Sequence, residues 1–490
     1  MPTQTPLPPA ASTQRRHPLL EKLCARVEPK WLVMAPIATG GLMSALDISI
    51  ANVALPVIHR DLGSSVAMVE WVVTIYMLAV CALVLSFGRL GDMGSHKRFY
   101  TAGFVVFIIA SGLCGLAWSV EALIVARALQ GIGSACVFAN SQAILTSNFP
   151  PSERGRAMGF QAMMIFLGQM LGPVVSGWLI DHFSWRAVFY INLPIGVVMV
   201  AMCFLFIPRD HRPARQREPF DFLGATTFGV AFTLLLLALN QGYEWGWTSP
   251  RLLLMASGPV VLLAFFVWWE RRNPHPLLDL GLFRVRLFAM CSVSCVFNFI
   301  AVFSVTFLMP FYLIQGRHLT PSRTGLLLII QPAVMTVSTP IFGTLSDRIG
   351  TRKPSMAGMA VLGCAMLVLA CLNATSPLYL VVVGLGLSGL GFGMFMVPNN
   401  SAIMGSAPPN RKGIASSVMA TARYVGMIFG VGIAGAVFTT MLARNPITGL
   451  FDGVRLGFII AAVASFIGVI TCSTPDLPPH HEEGASAIVD

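Results

Sequence analysis

Charge is scarce in this sequence. Asp, Glu, Lys and Arg make up 11% of its 490 residues, where a soluble domain carries about 25%. A chain this long with so few charges cannot cover a water-facing surface, which excludes a soluble globular enzyme. It is neither polar nor low in complexity, which excludes disorder and fibrous repeats. No Cys-x-x-Cys pair and no Cys/His cluster is present, so no metal site is expected. Cys24 lies in the N-terminal tail, and the other nine cysteines lie in apolar stretches, where they read as small packing residues. All nine histidines fall in loops or tails by this reading, which leaves carboxylates as the acid–base groups within the apolar stretches. No nucleophile–base pair is visible, so the chain is read as no enzyme. The first thirty residues lack an apolar run, so no cleaved signal peptide is expected.

What the sequence has is apolar surface. Hydrophobic residues make up 55% of it, and mean hydropathy is +0.74. A membrane helix needs about 20 mostly apolar residues. Such stretches fall near 31–56, 66–87, 99–118, 121–145, 157–180, 187–207, 220–239, 251–269, 286–314, 322–345, 355–373, 377–404, 413–440 and 454–473. This predicts an all-α polytopic membrane protein with fourteen spans and a bilayer as its first partner.

The net charge of +11 follows from topology. An even span count puts both termini on one side. With the termini cytoplasmic, only Arg60, Arg186, Arg251, Arg317, Arg323, Arg444 and Arg455 of the 32 basic residues face outward, and Arg127 and Arg423 lie within spans. The excess of Lys and Arg on cytoplasmic loops is the usual membrane-protein pattern, so no nucleic-acid partner is needed to explain it.

The chain nearly repeats itself. Gly88-Arg-Leu-Gly-Asp92 matches Gly343-Thr-Leu-Ser-Asp347, and Gly168, Gly172 and Gly177 match Gly426, Gly430 and Gly435. Six spans fill 31–207, so the offset is too long for two adjacent six-span units. The surplus fits spans seven and eight. The expected plan is a cytoplasmic tail (1–30), a six-helix bundle (31–207), a linker with an inserted helix pair (208–285), a second six-helix bundle (286–473) and a cytoplasmic tail (474–490). Parallel repeats with a site between them are a transporter plan.

These loops resemble the major facilitator superfamily, and within it the fourteen-span drug:proton antiporter family. Gly343 to Lys353 fits the pattern G-x-L-x-D-R-x-G-x-R-K, with Asp347, Arg348, Arg352 and Lys353 in place. The first copy, Gly88 to Arg98 with Asp92 and Lys97, departs from it: Met93 stands where Arg is usual, and Gly94 comes one place early. Leu46-Asp47 through Asn52 to Leu55-Pro56 is similar to the first-span motif of the fourteen-span group. Arg127-Ala-Leu-Gln130-Gly131 resembles the span-four motif associated with proton coupling, and Gly168 to Gly177 with Pro173 the span-five motif associated with export. The resemblance implies a proton-driven exporter in the plasma (bacterial inner) membrane, with no cofactor.

Asp47 is the sharpest feature. A charge at mid-membrane costs about 2.5 kcal/mol or more, so it needs a partner, water or a proton. Counting at 1.5 Å per residue from Pro56, taken as the helix end, Asp47 lies about 13 Å deep, and Arg127 about 9 Å below Glu121. The two meet if spans one and four adjoin. They are expected to carry proton coupling, against the alternative of a fixed ion pair. Glu70 is a second candidate, although it also reads as an exposed charge at a helix start. Arg423, deep in span thirteen, would bond carbonyls, Asn399 and Asn400, or an anionic group of a substrate. The glycines and Pro173 of span five read as a hinge or as tight packing. The acidic and basic residues around Asp92 and Asp347 read as a cytoplasmic gate or as ordinary topological charge.

The expected function is export of lipophilic or cationic small molecules in exchange for protons, by a monomer working through alternating access. The rivals are import or symport of a metabolite on the same scaffold, and a membrane receptor or scaffold that does not transport.

Overall fold

The computed structural model describes residues 28–150, 153–208, 221–246, 249–273, 280–406, 412–445 and 448–473. Among the described residues every regular element is helical. The first six spans are α1 (Pro29–Asp61), α2 (Val66–Met93), α3 (His96–Gly115), α4 (Val120–Asn148), α5 (Arg154–His182) and the pair α6 (Ala187–Tyr190) and α7 (Asn192–Phe206). Then come α8 (Phe222–Trp245) and α9 (Pro250–Arg272). The last six spans are α10 (Arg286–Phe311), α11 (Pro321–Leu328) with α12 (Ile330–Ile349), α13 (Arg352–Ala370), α14 (Leu378–Ser406), α15 (Lys412–Arg444) and α16 (Gly449–Cys472).

Thirteen helical segments among the described residues are long and apolar enough to cross a membrane. The remaining expected span is α8, a 24-residue helix whose apolar stretch is counted only over Phe222–Leu235.

Local chemistry sets the helix boundaries. Ser65, Ser95, Ser119, Ser249 and Thr320 each accept a hydrogen bond from the backbone N–H three residues on, which caps the starts of α2, α3, α4, α9 and α11. Proline accounts for the two split spans. Pro194 has no N–H for the Tyr190 carbonyl, where α6 ends, and Pro332 has none for that of Leu328, where α11 ends. Pro56, by contrast, does not end α1, which runs on to Asp61. One lost hydrogen bond is tolerated in a long membrane helix. Asp47 is therefore 14 residues from the helix end, about 21 Å along the axis, deeper than Pro56 as an end implies. The irregular first copy of the loop motif has a structural counterpart. Gly350 closes α12 with φ 84°, a conformation that suits glycine, whereas Gly94 closes α2 at φ −118°.

We call the end of the bundle where α1 starts the tail face, and the other end the far face. In the first six spans α1 packs along α5, and α4 packs against both α2 and α3. In the last six, α10 packs along α15, and α14 against both α12 and α13. The repeated glycines do the same work twice. A Cβ on Gly168 or Gly172 would strike the Leu42 carbonyl or the Ser49 hydroxyl of α1, and one on Gly426 or Gly430 would strike the Val296 or Ile300 carbonyl of α10. These small residues let the helix backbones touch. The third glycine of each set reaches the other six-span group: Gly177 abuts Pro321 of α11, and Gly435 abuts the Glu70 carboxyl of α2.

Contacts between the two groups are strongest near the far face. There the Gly325 backbone meets the Pro173 carbonyl, and Asp181 Oδ2 accepts from the Ser322 N–H at 3.0 Å. Nearer the tail face, Phe138 of α4 and Tyr424 of α15 meet edge to face at 6.0 Å. Gly159 and Gly405, close to the tail-face ends of α5 and α14, have open space beside them. Lys30 at the start of α1 pairs with Glu153, just before α5, at 2.7 Å.

The inserted helices α8 and α9 pack on each other through Phe228 and Phe266. Helix α8 also lies against both α2 and α15, with Phe232 against Phe429 at 6.4 Å. Among the cysteines, Cys364 and Cys371 face outward instead of packing between helices.

Candidate functional site

Asp47 and Arg127 meet inside the first six spans. Asp47 is 1% exposed and Arg127 fully buried. Arg127 Nη1 donates to Asp47 Oδ2 at 2.7 Å, and its Nε donates to the Val72 carbonyl at 2.8 Å. Asp47 Oδ1 accepts from Gln130 Nε2 at 2.9 Å and from Asn192 Nδ2 at 2.8 Å. Gln130 also donates to Ser111 Oγ at 2.7 Å and accepts from Arg127 Nη1 at 2.6 Å. The guanidinium carbon stands 4.3 Å from the Tyr76 ring centroid, a cation–π distance. Tyr76 is itself bonded to Ser134 Oγ at 2.6 Å. Arg127 Nη2 and Asn192 Oδ1 have no partner. A carboxylate with three donors and a guanidinium over an aromatic face lower the cost of holding two charges in an apolar bundle.

A cavity lies on a different face of α1. Ala45, Ile48, Ser49, Asn52 and Val53 line it from α1, Gln169 and Pro173 from α5, and Phe299, Phe303, Gln331 and Met335 from the second group. It holds about 80 Å³ of space open to water-sized spheres. Drug-sized ligands occupy pockets of about 300–1,000 Å³, so the two groups must part to admit one. Among its lining residues there is no charged side chain and no histidine. Asp47 is not on this wall. In this conformation the ion pair is shut off from the cavity by α1 itself.

The other candidate residues are placed as follows. Glu70 is not the exposed helix-start charge that its position suggests. It is 3% exposed, and its Oε2 lies against Gly435 of α15 without a hydrogen-bond partner. Helix α15 covers the start of α2, which the sequence alone does not show. Arg423 does not bond Asn399 or Asn400. Its guanidinium carbon lies 5.6 Å from the Phe299 ring centroid, and its Nε is buried without a partner. Asn399 donates to the Cys291 carbonyl at 3.2 Å, and the Oδ1 atoms of Asn399 and Asn400 are unpaired.

At the tail face, Lys97 donates to the Phe204 carbonyl at 3.1 Å and to the Ile207 carbonyl, so it caps the end of α7. Arg98 is exposed, with its backbone N–H on Ser95. Arg348, Arg352 and Lys353 are exposed, and no ion pair joins them to the first group among the described residues. The backbones of Asp92 and Asp347 end α2 and α12; their side chains lie outside the described residues. Gly343 faces Val397 of α14, and Gly88 lies opposite Ala139 of α4. Pro173 sits inside the unbroken helix α5.

Several partners were harder to read from the sequence. Asn192 is a lone amide in an apolar span, and that isolation is its only signal. Ser111 and Tyr76 give none. His96, assigned to a loop, is the first residue of α3 and is buried, with Nδ1 2.8 Å from Asn140 Oδ1.

A helical bundle with a cavity between two six-span groups, and a buried ion pair beside it, has the build of a membrane transporter. The chain belongs to the major facilitator superfamily, whose family model matches residues 37–431 and 293–488. It is an integral membrane protein. It is 35% identical over 449 residues to the riboflavin transporter RibZ of Clostridioides difficile, covering 91% of this chain and 97% of that protein. It is 35% identical over 412 residues to the multidrug resistance protein Stp of Mycobacterium tuberculosis, covering 84% and 76%. The tetracenomycin C resistance and export protein of Streptomyces glaucescens is 30% identical over 410 residues, covering 84% and 76%. Among solved structures, an auto-inhibited POT family peptide transporter shares the fold with a TM-score of 0.68 at 15% identity, over 92% of this chain and 99% of that one.

Proposed function

We propose that this protein is a proton-coupled exporter of the fourteen-span drug:proton antiporter type. It moves lipophilic small molecules by alternating access across the plasma membrane of a bacterium, with both termini cytoplasmic. It works as a monomer and uses the proton gradient in place of a cofactor. Residues 31–207 and 286–473 rock against each other, and the glycines and Pro173 of α5 serve the movement. The observation that carries this reading is the buried Asp47–Arg127 pair, one helix wall away from the cavity. The likeness to Stp and to the tetracenomycin C exporter supports export.

The physical logic runs through α2. Arg127 holds Asp47 with Nη1 and the Val72 carbonyl with Nε. Two residues from Val72, Glu70 meets Gly435 across the seam between the groups. A proton arriving on Asp47 removes the charge that anchors Arg127. With the proton taken from the far face, the freed guanidinium shifts its hold on α2 and the far face closes at the Glu70–Gly435 contact. Loss of the proton to the tail face restores the pair, so protons move inward while substrate moves outward. Glu70 and Arg423 are second candidates for proton or substrate contact, and the loops at Asp92 and Asp347 for closing the tail face.

A second reading is carriage of a small metabolite, favoured by the likeness to RibZ over 97% of that protein's length. Reconstitution into liposomes with an acidic, dye-reported lumen separates the two. Exchange predicts that adding a lipophilic substrate outside alkalinises the lumen while the substrate accumulates, and that a protonophore abolishes the accumulation. Proton movement in the same direction as substrate, or no proton movement, overturns the exporter reading.

A further inference from the structure

The cavity between the groups keeps two polar atoms without partners. Asn52, on α1, is 1% exposed. Its Nδ2 donates to the Ile48 carbonyl at 2.8 Å, which fixes the amide and leaves Oδ1 as a free acceptor. Gln331, just after the break between α11 and α12, is 7% exposed, and its Nε2 is a donor with no partner. Both side chains line the same cavity, one from each six-span group. Buried polar atoms are almost always satisfied, and an orphan costs about 1–3 kcal/mol. Two such atoms of opposite type in one cavity are a donor and an acceptor that a ligand can use.

The rest of the lining narrows the ligand further. Phe299, Phe303 and Phe392 offer ring faces, and Met335 an adaptable thioether. Among the lining residues there is no charge to neutralise an ionic ligand, and the Asp47–Arg127 pair lies behind α1. An isolated charge in such a space is strongly disfavoured.

We propose that the substrates of this cavity are uncharged aromatic molecules carrying both a hydrogen-bond donor and an acceptor, as lactams and imides do. The donor meets Asn52 Oδ1 and the acceptor meets Gln331 Nε2, so one ligand bridges the two groups. This deepens the transport reading, because a ligand held from both sides is seen by both halves of an alternating-access cycle.

The test is equilibrium binding, which needs no proton gradient and so fails or succeeds separately from the exporter reading. The full-length protein in lipid nanodiscs is dialysed against 4-amino-1,8-naphthalimide, its N-methyl-imide derivative, or ethidium as a lipophilic cation, with empty nanodiscs as blank. The N–H imide should bind about 5- to 10-fold more tightly than the N-methyl form, as expected when one buried acceptor is left unpaired. Asn52→Leu should erase that ratio while keeping the N-methyl affinity, which also shows that the variant is folded. Gln331→Leu should weaken both imides about equally and preserve their ratio. Ethidium should not displace either imide. Equal binding of the two imides by the unmodified protein, a ratio that survives Asn52→Leu, displacement by ethidium, or no binding of either imide each overturns the proposal.

Discussion

Replacing Asp47 by Asn changes one atom and removes one charge, and the structure says what that should cost. Arg127 is fully buried and keeps its Nε bond to Val72, but it loses the one counter-ion it has among the described residues. Removing one partner of a buried pair costs about 3–5 kcal/mol, most of it from the charge left behind. Asp47→Asn should therefore lower the thermal midpoint of the purified protein. Arg127→Gln should do the same, since Asp47 then keeps only the Gln130 and Asn192 donors. The double variant Asp47→Asn/Arg127→Gln leaves no orphan charge and should recover most of the lost stability. Transport separates the roles. In liposomes with an imposed pH gradient, all three variants should lose gradient-driven accumulation, including the stable double variant. If the double variant is as stable as the parent and also accumulates substrate at the parent rate, the pair is only a structural pin and the coupling mechanism is wrong. Parent-level accumulation by Asp47→Asn alone would lead to the same conclusion.

Two further outcomes test the seam. Gly177 faces backbone of Pro321 and Ser322, with Ser322 Cα 2.8 Å from where a Cβ would stand. Gly177→Val should hold the far face apart, read as longer distances between spin labels at Arg60→Cys and Arg323→Cys in a Cys364→Ser/Cys371→Ser background, because those two cysteines are exposed; an unchanged distance distribution would refute that packing. Gly435→Ala should likewise weaken far-face closure, because its Cβ would meet the Glu70 carboxyl. Adding Glu70→Ala should restore the parent distances, and failure to do so would mean that Glu70 is not the obstacle.

Much of the fold is written in the sequence because hydrocarbon imposes few choices. Twenty apolar residues must be a helix, and the alternation of basic loops orders the helices. Asp47 and Arg127 were legible for the same reason, since a charge in a span stands out. Their neighbours were not. Ser111 and Tyr76 sit in apolar stretches with ordinary polarity, and only the packing of α2 and α3 against α4 brings them to the pair. Glu70 was misread because its covering helix, α15, lies far away in sequence. The end of α1 was misplaced because proline ends α6 and α11 but not α1, and position in the bundle decides which. Asn52 stood within the quoted first-span motif, yet its free oxygen shows only once Ile48 is seen to occupy its nitrogen.

The seating of α8 across α2 and α15 gives the molecule two unlike flanks. On one flank, where α5 meets α11, small residues bring backbone against backbone. On the other flank Phe232 and its neighbours roof the joint. The two seams therefore present unlike surfaces to the lipid, one of small residues in close contact and one screened by an added helix.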